Sequence, residues 1–92
     1  MARNSIIQDE KECFACHTTQ NLHKHHIYYG TANRKVSDKL GLWVWLCARH
    51  HNMSDEGVHF DKKFDLALKR LGQEIYSQEH DDFMEQIGRS YL

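Results

Sequence analysis

Three cysteines and eight histidines in a chain of 92 residues are the side chains here with the most chemistry to offer. Cys13-Phe-Ala-Cys16 and Cys47-Ala-Arg-His50 repeat one spacing, two ligand types separated by two residues. That gap lets a tight knuckle bring both side chains to one ion, and two such pairs complete a tetrahedron. A thiolate-rich, four-coordinate set selects zinc, so the expectation is a structural zinc ion held by Cys13, Cys16, Cys47 and His50. Two other chemistries share part of the pattern. Cys13 to His17 also spells the C-x-x-C-H attachment signature of a c-type haem, with Met53 or Met84 as axial ligand. That reading requires export and leaves Cys47 and five histidines without a role. A redox dithiol at Cys13 and Cys16 calls for a βαβ context that the pattern lacks.

The remaining histidines concentrate at His23, His25 and His26 and again at His51, with His59 in Gly57-Val-His-Phe60. Neighbouring strand residues point to opposite faces, so His25 and His26 cannot both reach one ion from a regular strand. One metal ligand plus one general base is the natural division. Imidazole titrates near neutrality and can take a proton from water, while a divalent cation stabilises charge on a phosphate and its departing oxygen. His23 shares the face of His25, as a third ligand, a phosphate contact or simply an exposed strand histidine.

Two motifs carry a resemblance. His25-His-Ile27 and Leu46-Cys-Ala-Arg-His-His51 resemble the paired elements of the HNH endonucleases, ββα-metal enzymes on a treble-clef zinc finger, including the phage-encoded recombination-enhancement nucleases. The likeness spans about residues 13–59, with a helical appendage at about 61–92, together one domain over 1–92. It implies hydrolysis of DNA phosphodiester bonds, with His26 as base and His25, His51 and His59 around a catalytic ion, and His50 in place of the knuckle's last cysteine. An all-histidine set favours Zn, Mn, Co or Ni over Mg. The family's base-orienting Asn is missing near Leu42; Asn33 or Asn52 is its expected replacement. The alternative is a non-catalytic zinc-finger module that binds DNA or a protein of a phage or bacterial recombination or packaging machine.

Composition is compatible with either. The formal net charge is −1, yet residues 11–50 hold six Lys/Arg against two acids, and 51–92 hold five against nine. The basic half supplies Lys24, Arg34, Lys35 and Lys39 as candidate phosphate contacts, with Tyr28, Tyr29 or Trp43 either packing on sugar and base or closing a thin core. Phosphate contact carries no base code, so weak sequence specificity is expected. The absence of an apolar leader, of paired cysteines and of a membrane-length apolar run suggests a soluble, reduced, cytoplasmic setting without a membrane partner.

These side chains need an α+β scaffold to position them. Asn21–Gly30 alternates and ends at a glycine, predicting the first strand; Leu42–Leu46, aromatic and β-branched, predicts the second, running into Cys47. Thr31–Gly41 reads as a long polar loop, with Ser37 or Asp38 able to start one helical turn that Gly41 ends. Ala48–Glu56 predicts a short helix. Phe64, Leu68, Leu71 and Ile75 give a stripe for a helix over 61–76 capped by Asp61, and Phe83, Met84 and Ile87 predict a last short helix ending at Gly88. A domain this small buries little apolar surface, which makes a metal staple the more expected.

Overall fold

The computed structural model describes residues 4–53 and 61–92, and it is a small α+β arrangement: a two-stranded antiparallel hairpin with helices. The elements in chain order are β1 (Leu22–His26), α1 (Thr31–Leu40), β2 (Trp43–Cys47), a π-helical turn (Arg49–Met53), α2 (Lys62–Ser77) and α3 (Phe83–Ile87). Among the described residues, no helix is long and apolar enough to cross a membrane.

The hairpin register pairs Leu22 with Cys47 and His26 with Trp43. It therefore sets the start of β1 beside the end of β2, where the second ligand pair begins. The first pair is laid along the same end by a backbone bond from the Phe14 amide to the Trp45 carbonyl at 2.8 Å, and the Ala48 amide, bonded to the Asn21 carbonyl at 2.9 Å, ties the start of the second pair to the start of β1. Val44 and Leu46 of β2 are fully buried, as are Ile27 and Leu42 beyond the strand ends. With Tyr28, Leu68, Tyr76, Phe83 and Ile87 they form one core, closed by α2 and α3.

The connection between the strands differs from the expected loop. Thr31–Leu40 is a ten-residue α-helix, ended by Gly41 in the left-handed region at φ 76°. Its inward face is Val36, Ser37 and Leu40, and the tie to the sheet is polar. The Ser37 hydroxyl, fully buried, donates to the Tyr28 carbonyl at 2.7 Å and accepts from the Tyr28 amide at 3.2 Å. A buried serine satisfied on both sides costs little, whereas an unsatisfied one would not be tolerated. A glycine is needed at position 41, because a Cβ there would stand 2.5 Å from the Asn4 carbonyl oxygen.

In α2 the predicted cap is present: the Asp61 carboxylate accepts from the amides of Lys63 and Phe64. The buried line, however, runs through Leu68, Gly72, Gln73 and Tyr76, so the helix is turned about one residue from the Leu71–Ile75 stripe. Gly72 explains the rotation. Its bare backbone admits Tyr28, whose hydroxyl donates to the Lys69 carbonyl. A Cβ at Gly72 would stand 2.9 Å from that hydroxyl and 3.4 Å from Ile27 Cδ1. Alanine is the better helix former by about 1 kcal/mol, but overpacking a fixed, buried contact costs about 1–3 kcal/mol. Gly72→Ala is therefore expected to lower the denaturant midpoint; an equal or higher midpoint would show that Tyr28 yields freely.

Candidate functional site

Cys13, Cys16, Cys47 and His50 converge at the strand end, their ligand atoms all within 4.8 Å of one another. Cys13 lies in the turn that begins the knuckle, where the His17 amide donates to the Cys13 carbonyl and His17 takes the left-handed φ of 65° that closes it. Cys47 ends β2, and the π-helical turn immediately after it swings His50 back toward the thiols. Cys16 Sγ and Cys47 Sγ are 3.8 Å apart, and His50 Nδ1 is 3.2 Å from Cys47 Sγ and 3.7 Å from Cys13 Sγ. A tetrahedral zinc with ordinary bond lengths requires edges of about 3.8 Å between sulfurs and about 3.5 Å from sulfur to nitrogen. The four residues fit a structural zinc ion.

Electrostatics agree with that fit. Burial pushes the Cys13 thiol up, but the backbone amides of Cys47, Cys16 and Ala15 more than offset it, leaving the thiol at about 6. The Thr18 amide draws the Cys16 thiol down, yet desolvation and the neighbouring Cys13 and Cys47 sulfurs push it up overall. One thiolate forms readily and the next is opposed. A cation among the three sulfurs relieves that opposition.

The other histidines lie along β1, and strand alternation sorts them. On one face, His23 and His25 meet His51: His23 Nδ1 is 3.0 Å from His51 Nδ1, and the His25 and His51 ring centroids are 5.3 Å apart. Imidazole nitrogens bound to one ion at about 2.0–2.1 Å stand about 3.0–3.4 Å apart, so the His23–His51 spacing fits a shared ligand role. On the other face, His26 Nε2 lies 3.2 Å from Asp38 Oδ1, and Lys24 Nζ is hydrogen-bonded to the same oxygen. An open cleft of about 270 Å³ is lined by Lys24, His25, His26, Tyr29, Arg34 and His51.

Several expected roles shift. Asn33 does not meet His26: its amide donates to the Ile87 carbonyl at 3.2 Å, tying α1 to α3. The carboxylate at His26 is Asp38, whose place in a polar stretch marks only a possible helix start. Lys24 is engaged by Asp38 and by the Trp43 ring, 4.4 Å from its centroid. Arg34, Lys35 and Lys39 are exposed on α1, Arg34 at the cleft. Tyr28 and Trp43 belong to the core, whereas Tyr29 is 41 % exposed and lines the cleft. His59 lies outside the described residues, as does the end of the predicted 48–56 helix; the side chain of Asn52 is likewise not described.

Comparison with protein families, with characterised proteins and with solved structures found no match to this chain.

Proposed function

We propose that this chain is a metal-dependent endonuclease of the HNH type that hydrolyses DNA phosphodiester bonds from a zinc-stapled treble-clef core. The observation that carries the reading is the single cleft shared by His25, His26 and His51, which Arg34 also lines. His26 and His25 occupy opposite faces of β1, as a base and a ligand should. His25 and His51 hold the second ion, and His23 stands close enough to His51 to join them. When bound, that ion stabilises negative charge on the phosphate and the departing oxygen. His26 accepts the proton of the attacking water. Arg34, with Lys35 and Lys39 further along α1, holds the phosphate backbone without reading bases, which makes cutting weakly sequence-dependent.

A second reading, a non-catalytic zinc-finger module for DNA or a protein partner, is favoured by one observation. Among the described residues, Cys13, Cys16, Cys47 and His50 are the one group of three or more whose ligand atoms all lie within 4.8 Å. Counting metals per chain and assaying plasmid nicking separates the two. The nuclease binds a second equivalent beyond zinc and nicks with Mn, Co, Ni or Zn better than with Mg, since imidazole is a poor match for a hard, oxygen-seeking cation. Zinc-replete protein that binds DNA yet cuts neither single nor double strands with any of these ions would establish the binding module instead.

A further inference from the structure

We infer that Asp38 is the positioning residue of the His26 base, with Lys24 as the anchor of its carboxylate; the inference rests on the nuclease reading of His26. An imidazole on a strand has a broad preference at its outer torsion and two tautomers, so a base needs something to fix both. Asp38 Oδ1 is 3.2 Å from His26 Nε2. An ionised carboxylate can only accept, so Nε2 carries the hydrogen and Nδ1 is left with the lone pair. The same division of labour, a carboxylate on one ring nitrogen and the reacting proton on the other, orients the base in Ser-His-Asp enzymes.

What holds Asp38 there is visible in the fold. Its neighbour Ser37 is bonded twice to the Tyr28 backbone, which pins α1 against the continuation of β1. Position 38 is thus held close to the strand that carries His26. Lys24, two residues before His26 on the same strand face, bonds to the same Asp38 oxygen while its ammonium lies over Trp43. The Lys24 ammonium beside Asp38 holds its carboxyl below the usual range, against the opposing effect of burial and with further help from His26. Lys24 is therefore committed to the base rather than to phosphate.

The test uses the full chain loaded with zinc and labelled with nitrogen-15. Ring couplings of His26 report which nitrogen is protonated, and plasmid nicking gives kcat and KM in parallel. In the wild type His26 is expected to carry its hydrogen on Nε2. In Asp38→Asn the amide NH2 can donate to Nε2, so the other tautomer should appear. Orienting partners of this kind contribute about 10- to 100-fold, so kcat should fall by that factor in Asp38→Asn while KM changes less than about two-fold. Asp38→Glu should recover part of the loss, which a merely structural role would not predict. A wild-type chain that cuts DNA with the hydrogen of His26 on Nδ1 overturns the inference alone, as does an unchanged kcat in Asp38→Asn. A wild-type chain that cuts nothing with any ion overturns the nuclease reading beneath it.

Discussion

Cys47→Ala is expected to leave the chain unfolded at room temperature, and chelation of zinc from the wild type to do the same. Cys47 is the last residue of β2, 6 % exposed, and pairs in register with Leu22. Its sulfur is 3.8 Å from Cys16 Sγ and 3.2 Å from His50 Nδ1, so its removal takes one corner from the ligand set. Structural zinc contributes about 10–16 kcal/mol in small zinc domains near neutral pH, and a whole domain is stable by only about 5–15 kcal/mol. Losing most of the first removes an amount comparable to the whole of the second. The core offers little to offset it, because the hairpin has two strands and a hairpin of that size is marginal without support.

Far-UV circular dichroism and thermal melting, with and without chelator, read the result. A Cys47→Ala protein with the wild-type spectrum and melting temperature would show that the cluster is not a staple. Acid should unfold the zinc form as well, because protons compete with the metal for thiolates. The Cys13 thiol is lowered to about 6, so the protein need not displace its proton at neutral pH, and that advantage is lost as the pH falls through that value.

Which parts of this could be read from residues alone follows from how each is stabilised. β2 was legible because its burial is apolar and nearly continuous, α3 because Phe83 and Ile87 turn to the core although Met84 is exposed, and the start of α2 because Asp61 caps it through its own side chain. α1 was not. Its inward face depends on a fully buried serine whose hydroxyl serves the Tyr28 backbone, and a serine in a polar stretch reads as a turn. The turn of α2 by about one residue was hidden for a similar reason: Gly72 adds no apolar surface to a periodicity, yet it is where Tyr28 enters. The four-ligand cluster was legible because spacing within each pair is local and the hairpin register brings the pairs together. Asp38 is the reverse case. It meets His26 across twelve residues of sequence through a helix the pattern did not announce, and Asn33 was the more conspicuous candidate only by residue type.

His26→Ala is expected to keep the fold and the full metal content while cutting DNA at least about 100-fold more slowly, since a positioned general base contributes about 10²- to 10⁴-fold. His26 is bonded to Asp38, as Lys24 is, and not to His23 or His51, which meet each other, although it lines the same cleft as His25 and His51. Its side chain is 21 % exposed and is not among the core residues, so truncation opens no large void. Nothing about the removal reaches the Cys/His cluster. His51→Ala should behave differently. That ring contacts His23 at 3.0 Å and stacks edge-on with His25, so its loss should remove the second metal equivalent together with nicking, while zinc at the cluster stays. The pair of variants separates a residue that touches water from one that touches the ion, and elemental analysis beside a plasmid assay reads both quantities. Cleavage that persists in His26→Ala would belong to a contaminant or to another base. Metal lost from His26→Ala but kept in His51→Ala would exchange the two roles, and with them the face of β1 from which the phosphate is attacked.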